Sequence, residues 1–454
     1  MTFDTIILGA GQAAPPLATK LAAAGERVLL VERRLVGGTC VNYGCTPTKT
    51  MIASARAAHV ARTAGRLGVE ISEVRVDLAA VVDRKEAVVR QWREGVEESL
   101  EAVGDRLRIL RGHGRFSGER EVEVEGERYR AGRVIIDVGA RPAIPPISGL
   151  AETPWLDNAS IMELRELPKH LIILGGGYIG CEFAQMFRRF GARVTILNRG
   201  QHLLGREDPE ISSALEEVFR EEGITLEMNR EVEAVSGWEG DVVARAEGGE
   251  EVRGSHILVA LGRTPNTDDL GCDAAGIALD EKGHVRIDDH YRTTAEGVYA
   301  VGDVTGGPQF THASWDDHRI LLDLLRRKGD RNRSDRIIPY TVFTDPQVAR
   351  VGLSEREARE QEIAHEVASM PFEKIARAIE SDERAGFMKV LIDPETERIL
   401  GAAITGAQAG ELIHVFSVLM QAGASARAMV DAEFVHPTFA EGLHTLVRDL
   451  DRYA

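Results

Sequence analysis

The sequence predicts an α/β fold in which two similar strand–helix–strand (βαβ) motifs precede a C-terminal α+β region. The first βαβ motif covers residues 4–32 and the second covers residues 171–198, and each has glycines between an apolar strand and a helix. No third copy follows residue 337, where strand-like and helix-like stretches are mixed. The chain has 454 residues, a length that corresponds to about three domains. Of these residues 43% are hydrophobic and 28% are charged, as in proteins that bury a core.

The composition excludes several classes of protein. The net charge is -17, from 55 Lys and Arg residues against 72 Asp and Glu residues, which would repel nucleic-acid phosphates. The sequence has no run of ~20 apolar residues, the length that a membrane-spanning helix needs, and no signal peptide is visible at its start. Four cysteines are too few for a secreted disulfide framework in so long a chain. We therefore expect a cytoplasmic protein that binds neither nucleic acid nor a membrane.

The first βαβ motif has the residues that a dinucleotide-binding turn requires. Gly9 permits a tight turn after the strand, and Gly11 lets the backbone approach a pyrophosphate at the N-terminus of a helix. Ala14 stands where a third glycine often does, and Glu32 ends the second strand, where a carboxylate can accept hydrogen bonds from a ribose. The alternative is an ordinary glycine turn. The full strand–helix–strand context favours a Rossmann-like nucleotide site.

The second βαβ motif repeats this design with a different strand end. Its residues of interest are Gly175, Gly177, Gly180, Asn198, Arg199 and Arg206. Asn198 replaces the acid that would favour NAD, and an arginine can meet the 2′-phosphate of NADP, so the sequence favours NADPH, with NADH possible. Alternatively, both arginines are solvated loop charges. Two nucleotides at one active site usually indicate electron transfer between them.

Other stretches predict further elements without assigning chemistry to them. The expected elements are a helix over 77–103, short strands within 121–137 around a turn at Gly126, breaks near residue 148 and at 261–266, an apolar strand at 297–303, a linker at 330–335, strands at 387–393 and 399–406, and helices at 411–422 and 440–451.

Two cysteines follow the first motif directly, at Cys40 and Cys45. On a regular helix their Cα atoms would be displaced axially by ~7.5 Å, more than the ~4.4–6.8 Å of a disulfide. A bond between them requires a distorted turn, which Gly44 permits. Thr46 as N-cap and Pro47 as first helical residue would place Cys45 at a helix N-terminus, where the helix dipole stabilises a thiolate.

The alternatives for this pair are two buried structural cysteines or half of a zinc site, although the spacing is not the usual one for zinc. Cys181 and Cys272 are isolated and predicted to be structural. Near the C-terminus His436 precedes a proline and Glu441 follows at the start of a helix. A carboxylate bound to an imidazole fixes its tautomer and raises its basicity, giving a proton carrier for a thiol.

Taken together, the motifs resemble a known family over essentially the whole chain. CVNYGC with the following PTK, both glycine turns, GVYAVGD and HPTFAE occur in the order found in the FAD-dependent pyridine nucleotide–disulfide oxidoreductases, which include glutathione reductase, dihydrolipoamide dehydrogenase and mercuric reductase. The local sequences GAGQAAPPLA and GGGYIGCEFAQMFRRFG are most similar to those of the mercuric-reductase-like branch. Mercuric reductases generally carry a further cysteine pair at the C-terminus, which this sequence does not have.

The resemblance implies roles for individual residues. Cys45 matches the sulfur beside the flavin and Cys40 the interchange thiol that attacks substrate. Lys49 and Glu182 match a pair beside the flavin ring, and Tyr178 the aromatic that covers the nicotinamide pocket. His436 and Glu441 match a base dyad supplied by the partner subunit. The predicted cofactor-binding residues are Gly9, Gly11, Ala14, Glu32, Gly38, Thr39, Gly114, Asp303 and Ala313 for FAD, and Gly175, Gly177, Tyr178, Gly180, Asn198, Arg199 and Arg206 for the nicotinamide nucleotide. Gly139 and Gly262 are further predicted cofactor-binding residues that are not assigned to one of the two nucleotides. No structural metal site is expected.

The same resemblance implies the domain organisation. A FAD domain at 1–148 and 267–335 would hold an inserted NAD(P)H domain at 149–266, and residues 336–454 would form a dimerisation domain. The implied enzyme is a homodimer that passes electrons from NAD(P)H through FAD to a Cys40–Cys45 disulfide, and on to a small disulfide or soft metal ion. Two alternatives are a dihydrolipoamide dehydrogenase of a multienzyme complex and a flavin-based redox sensor.

Overall fold

The computed structural model describes residues 2–326 and 329–453. Its α-helices in the described residues are α1 (Ala14–Ala23), α2 (Gly38–Tyr43), α3 (Cys45–Thr63), α4 (Leu78–Glu101), α5 (Tyr178–Phe190), α6 (Pro209–Glu221), α7 (Thr311–Leu325), α8 (Glu355–Glu360), α9 (Ala376–Glu380), α10 (Ala409–Gln421), α11 (Arg427–Val430) and α12 (Glu441–Arg448).

The strands of the same residues form parallel and antiparallel sheets. They are β1 (Thr2–Leu8), β2 (Val28–Glu32), β3 (Leu107–Arg111), β4 (Gly114–Gly118), β5 (Glu121–Val124), β6 (Glu127–Ile136), β7 (Ala140–Pro142), β8 (His170–Leu174), β9 (Arg193–Asn198), β10 (Thr225–Met228), β11 (Val232–Trp238), β12 (Asp241–Ala246), β13 (Glu251–Gly254), β14 (His256–Val259), β15 (Arg263–Pro265), β16 (Val298–Ala300), β17 (Tyr340–Val342), β18 (Gln347–Gly352), β19 (Glu366–Pro371), β20 (Phe387–Ile392) and β21 (Ile399–Gly406).

The chain forms two compact units, and the first is discontinuous in sequence. It comprises the described residues of 2–50, 82–143 and 262–336. Its main sheet has the order β3-β2-β1-β6-β5-β4. The C-terminal half of β6 also pairs in parallel with β16, while its N-terminal half pairs with β5 in a hairpin. Because β16 lies far along the chain, the sheet is completed only after the intervening segment, as expected of a fold with an inserted domain.

The strands at the centre of this sheet are buried on both faces. Ile6, Ile7 and Leu8 of β1 are fully buried, and so is most of β2. Continuous apolar runs of this kind are typical of parallel strands covered by helices on both sides. A separate two-stranded antiparallel ribbon of β7 and β15 joins the points at which the chain leaves and re-enters this unit.

The second compact unit comprises residues 51–81, 144–261 and the described residues of 337–453. It contains a parallel four-stranded sheet, β10-β9-β8-β14, and an antiparallel sheet of β11, β12 and β13. Its C-terminal part has a five-stranded antiparallel sheet in the order β17-β18-β21-β20-β19. Leu443, Leu446 and Val447 of α12 and Phe416 of α10 are buried in the apolar core of this part, which matches the α+β region predicted for the C-terminus.

The predicted elements agree with these bounds within a few residues. The helix expected over 77–103 is α4, the strands within 121–137 are β5 and β6, and Gly126 between them has a positive φ of 81°. The segment expected as a linker contains a helical turn at Arg333–Asp335, capped by Asn332. No helix within the described ranges is both long and apolar enough to cross a membrane.

Candidate active site

The glycine turn of the first βαβ motif lies directly against the end of β6. Gly9 has a φ of 90°, which favours glycine, and a Cβ there would lie 2.7 Å from the carbonyl carbon of Asp137. Gly11 is equally crowded, because a Cβ would lie 2.8 Å from Oδ2 of Asp137. The turn therefore depends on both glycines, as the sequence predicts.

An acid closes this turn at the end of β2. Oε2 of Glu32 accepts a hydrogen bond from the Ala10 backbone N–H at 2.8 Å, and Oε1 accepts one from Arg34 N–H at 2.6 Å. Glu32 is only 9% exposed. Ala14 is the first residue of α1 and is also buried. A crowded glycine turn, a helix N-terminus and a fixed carboxylate fit the pyrophosphate and ribose of a dinucleotide such as FAD.

Several other predicted FAD residues lie near this turn. Gly38 begins α2 with a φ of 58°, and a Cβ on it would lie 2.9 Å from Gly11 Cα. Gly114 packs on the ends of the first two strands, since its Cβ would lie 2.8 Å from Leu8 Cδ2 and 3.0 Å from Val31 Cγ1. Thr39 is exposed beside Gly38. These contacts bring residues from two of the three sequence ranges of the first compact unit, 2–50 and 82–143, to one edge of its sheet.

The remaining predicted cofactor-binding residues of the first compact unit divide into two groups. Asp303 lies in a helical turn after β16, where burial raises the pKa of its carboxyl and Arg263 opposes the rise, and Ala313 is buried in α7. Gly139 and Gly262 instead adjoin the β7–β15 ribbon, where Gly139 accepts from Asn266 N–H and Gly262 from Ala143 N–H. No contact of Gly139 or Gly262 with the glycine turn is seen in the described residues, so any role of theirs would lie along the ribbon.

The cysteine pair sits at a break between two helices. Cys40 is in α2 and Cys45 is the first residue of α3, and between them Gly44 adopts φ -133° and ψ -114°. Gly44 thus supplies the distortion that the spacing of the two cysteines requires. The expectation that Thr46 is the N-cap of the helix is wrong. Helix α3 already begins at Cys45, so that Thr46 lies within it, and the Thr48 N–H donates to Gly44 O.

The two thiols are chemically unequal. The pKa of Cys40 is raised strongly, first because its side chain is hydrogen-bonded to Cys45 and then because it is buried. Lys49, one helical turn after Cys45, acts in the opposite direction by its charge. Cys45 is exposed. The Cys40 thiol therefore holds its proton more tightly than a free cysteine does.

Thr311 is a site residue that the sequence analysis did not identify. It begins α7, and its Oγ1 lies 3.1 Å from Cys45 Sγ. A hydroxyl at this distance can donate to a thiolate and lower its pKa. Its separation of 266 residues from Cys45 leaves no local pattern by which it could have been found, although Ala313, two residues further on, was predicted to bind FAD.

The predicted dyad at the C-terminus is formed. Nδ1 of His436 lies 2.8 Å from Oε2 of Glu441, which is the first residue of α12. The imidazole is 72% exposed and the neighbouring Val435 is 75% exposed. Glu441 orients a histidine that projects from the surface of its own chain.

The second βαβ motif repeats the crowded glycine turn. Gly175 has a φ of 106°, and a Cβ there would lie 2.7 Å from Ala260 O. A Cβ on Gly180 would collide with the Gly175 carbonyl oxygen, whereas Gly177 faces open space. At the end of β9 Oδ1 of Asn198 accepts from Gly176 N–H at 3.1 Å. Asn198 thus takes the structural place that Glu32 has in the first motif, without its charge.

The arginines and the aromatic residue of this motif lie at its outer edge. Arg199 is 79% exposed, with its Nη1 3.7 Å from Glu231, and Arg206 is exposed. Tyr178 begins α5 and stacks on Tyr340 with 5.7 Å between ring centroids. Tyr340 was not predicted as a site residue.

Glu182 is buried in α5, and its Oε1 accepts from the Phe343 N–H at 2.9 Å. An acidic cluster of Asp208, Glu210 and Glu355 could by its geometry hold a cation. The Lys389 ammonium, however, binds all three carboxylates, with distances of 3.1 Å to Asp208 and 2.6 Å to Glu210. The cluster is therefore an ion network around the buried Lys389 ammonium.

A dinucleotide turn beside two coupled thiols, with a second dinucleotide turn in the same chain, defines a nucleotide-dependent redox enzyme. The comparisons with known proteins agree. Residues 3–317 match the family model described as pyridine nucleotide-disulphide oxidoreductase, and residues 338–447 match the dimerisation domain of that family. The chain belongs to the pyridine nucleotide-disulphide oxidoreductases, flavoprotein enzymes that bind FAD and a pyridine nucleotide.

Similar proteins include members of different branches of this family. The probable pyridine nucleotide-disulfide oxidoreductase RclA of Escherichia coli K12 is 36% identical over 457 residues, covering 98% of each chain. A mercuric reductase of Lysinibacillus sphaericus is 34% identical, covering 99% of this chain and 83% of its own. A solved Cu(II) complex of the HOCl-induced flavoprotein disulfide reductase RclA from Escherichia coli superposes with a TM-score of 0.90 at 36% identity, covering 98% and 99% of the two chains. The prediction of a disulfide oxidoreductase near the mercuric reductases is confirmed.

Proposed function

We propose that this enzyme uses NADPH to reduce a thiol-reactive acceptor, a soft metal ion or a small disulfide, at Cys40 and Cys45. The observation that carries the proposal is the inequality of the two thiols. The hydrogen bond to Cys45 and burial raise the pKa of the Cys40 thiol, and Cys45 lies against the Thr311 hydroxyl in the same compact unit as the FAD turn. Cys45 is then the sulfur that exchanges electrons with FAD, and Cys40 the thiol that meets the acceptor.

The proposed reaction balances for both acceptor classes. Bound FAD supplies two-electron chemistry, accepting a hydride and delivering an electron pair to a disulfide. The Cys40–Cys45 dithiol loses two electrons and two protons when it forms the disulfide. A small disulfide takes up all of these to become two thiols. Two Cu(II) ions take one electron each to become Cu(I), and both protons go to solvent or a base.

The raised pKa of Cys40 creates the need for that base. A thiol must lose its proton to become a nucleophile or metal ligand. The His436–Glu441 dyad can take that proton, because the Glu441 carboxylate holds the imidazole in one orientation. We assign the dyad to the partner subunit of a homodimer, supported by the exposure of His436 and Val435 and by the matched dimerisation domain.

NADPH is the proposed electron donor. Asn198 offers an amide where a carboxylate would select the 2′-hydroxyl of NADH, Arg199 follows it directly, and both Arg199 and Arg206 are exposed. Tyr178 is assigned to the nicotinamide pocket, and Lys49 with Glu182 to the flavin ring. The proposed domains remain 1–148 and 267–335 for FAD, 149–266 for NADPH and 336–454 for dimerisation.

A soft metal ion is the acceptor class we favour, supported by the likeness to a flavoprotein disulfide reductase that was solved with Cu(II). The test is NADPH oxidation by the purified holoenzyme with Cu(II), Hg(II), oxidised glutathione or lipoamide as acceptor. Turnover with a metal salt and none with lipoamide supports the assignment. Turnover with lipoamide alone overturns it in favour of a dihydrolipoamide dehydrogenase.

Cys40→Ser tests the role of the pair. We expect a loss of about 10³-fold or more in acceptor reduction, because a nucleophile is removed. Cys272→Ser is the matched control, since Cys272 is a buried cysteine outside the pair. Full acceptor reduction by Cys40→Ser with normal FAD content would refute the proposed role of this thiol.

A further inference from the structure

The end of β6 carries an acid where an apolar residue is expected. Val134, Ile135 and Ile136 are fully buried, and the next residue is Asp137, which is 4% exposed. A buried carboxyl is costly unless it is hydrogen-bonded. Its Oδ2 accepts a hydrogen bond from the backbone N–H of Ala14 at 2.9 Å, across 123 residues of sequence.

This contact replaces a local helix cap. The residue in the N-cap position of α1 is Ala13, whose side chain cannot accept a hydrogen bond. Free N–H groups at a helix start need an acceptor, and Asp137 supplies one from the neighbouring strand. The Asp137 carboxyl therefore binds to the same helix end that is assigned to the FAD pyrophosphate.

Two glycines make room for the Asp137 carboxyl. A Cβ on Gly11 would lie 2.8 Å from its Oδ2, and a Cβ on Gly302 would lie 2.9 Å from its Oδ1. Gly11 is part of the turn over which a dinucleotide would lie. The carboxyl is thus packed directly behind that turn, away from solvent.

Further acids face the same region. Asp317 accepts a hydrogen bond from the Gly302 N–H at 2.7 Å. Asp303 directly follows Gly302 in the chain. Asp317 is paired with Arg336 at 2.7 Å and also accepts from the Tyr291 hydroxyl.

Asp303 and Asp137 differ in how their charge is balanced. Asp303 has Arg263 at 3.9 Å. Glu32 faces the other side of the turn through its bond to Ala10 N–H. Among the described residues, 2–326 and 329–453, Asp137 makes no ion pair with any basic side chain. Like that of Glu32, its charge is countered only by backbone N–H groups, but Asp137 also has two further acids, Asp303 and Asp317, close to it.

The consequence is a carboxyl with a strong preference for its neutral form. Burial is the main cause that raises the pKa of Asp137 well above its usual value, and the charges of Asp317 and Asp303 add to the rise. The N–H groups of Ala14 and Ala13 oppose it only in part. An anion brought to the same helix end would raise the pKa further, since a like charge disfavours ionisation.

We propose that Asp137 is a residue of the FAD site that binds a proton together with FAD, so that the affinity for FAD falls as the pH rises. The direction of this pH dependence follows from linkage between proton binding and FAD binding. When the pKa of Asp137 is higher in the FAD-bound protein than in the free protein, a proton is taken up as FAD binds. The dissociation constant for FAD then rises tenfold per pH unit between these two pKa values. Release of FAD in that interval sets one proton free.

The test uses full-chain holoenzyme and no electron acceptor, so its outcome is independent of the acceptor assignment. The equilibrium release of FAD on dilution is followed by flavin fluorescence from about pH 5 to about pH 9, and proton release is followed with an indicator dye. The wild type should show a slope of log Kd approaching one per pH unit over part of this range, with up to one proton released per FAD.

Asp137→Asn is the decisive variant, because the amide oxygen can still accept from Ala14 N–H while the group cannot ionise. We expect the slope to vanish and FAD to be held at least tenfold more tightly than by the wild type at the alkaline end. Asp137→Ala should also lose the slope but bind FAD more weakly at every pH, since the helix cap is lost. Asp280→Asn, an exposed carboxyl in the same compact unit, should behave as the wild type.

Two results would overturn the proposal. One is a wild type that releases FAD without a pH slope and without protons, a measurement that requires no variant to fold. The other is an Asp137→Asn protein that keeps the wild-type slope, above all if Asp303→Asn abolishes it, because the proton would then belong to the neighbouring acid.

Discussion

The two βαβ motifs share one backbone design and differ in what stands at the end of the second strand. In the first motif the carboxylate of Glu32 is buried and bonded to the turn. In the second the amide of Asn198 makes the equivalent bond, and Arg199 beside it is 79% exposed. The glycines fix the turn in both motifs, whereas the residue at the strand end differs in charge. We expect that charge, and not the turn itself, to select the nucleotide that each motif binds.

The largest effect is expected from Gly9→Ala, which breaks the first motif. The residue has a φ of 90° and a Cβ would collide with the backbone of Asp137, with strain of about 1–3 kcal/mol from the dihedral alone. We expect protein that purifies without FAD, measured as the ratio of flavin to protein absorbance. Gly68→Ala is the control, since its φ of 79° is similar but its surroundings are open. A full complement of FAD in Gly9→Ala would contradict the crowding argument.

Gly180→Ala should break the second motif alone. A Cβ there meets the Gly175 carbonyl, so we expect the KM for NADPH to rise tenfold or more, while the flavin content stays normal. Gly177→Ala, which faces open space, should leave the melting temperature unchanged. Equal loss of FAD and of NADPH binding in Gly180→Ala would show that the two motifs are not independent.

Asn198→Glu should make the second motif resemble the first. The carboxylate can keep the bond to Gly176 N–H but repels a 2′-phosphate and can accept from a 2′-hydroxyl. A charged hydrogen bond contributes about 1.5–3 kcal/mol, and about 1.4 kcal/mol is tenfold. The ratio of kcat/KM for NADH over NADPH should therefore rise by about tenfold or more. Asn198→Gln, which stays neutral, should leave the ratio close to that of the wild type, and a shift there would point to loop disorder instead.

Thr311→Val should have the smallest effect and concerns the cysteine pair beside the first motif. The hydroxyl lies 3.1 Å from Cys45 Sγ and also lowers the pKa of Cys40, so its loss should raise the lower thiol pKa of the pair by about one unit, or ~1.4 kcal/mol. The alkaline shift should appear in the ultraviolet absorbance of the thiolate and in the pH profile of turnover. Thr311→Ser should restore both, and an unchanged profile in Thr311→Val would remove Thr311 from the site.

The sequence was sufficient where function depends on local pattern. Gly9, Gly11, Gly175 and Gly180 are read from their spacing, and the structure shows each of the four crowded by backbone or side-chain atoms. The His436–Glu441 contact follows from five residues of separation at the start of a helix. In such cases chain neighbours are also spatial neighbours, and the pattern and the geometry carry the same information.

The sequence was insufficient where a site residue contacts a residue far away along the chain. Thr311 reaches Cys45 across 266 residues, and Asp137 reaches Ala14 across 123. Asp137 could be noticed as a polar residue at the end of an apolar strand, but its role depends on strand pairing that places β6 beside β1. The helix start at Cys45 instead of after Thr46 was missed for a different reason, because Gly44 ends one helix where the next begins.

The ribbon of β7 and β15 has a consequence for how such a chain could evolve. Ala143 N–H donates to Gly262 O at 3.0 Å. The chain therefore leaves the first compact unit before residue 144 and re-enters it after residue 261 at the same place. The entropy of closing a loop grows only as the logarithm of its length. A tight reverse turn could therefore replace these residues with little change to the stability of the β7–β15 ribbon. Recombination at this point would leave the parent sheet undisturbed, but a replacement segment would have to restore the contacts that residues 144–261 make with the C-terminal residues of their own compact unit, such as the bond from Phe343 N–H to Glu182.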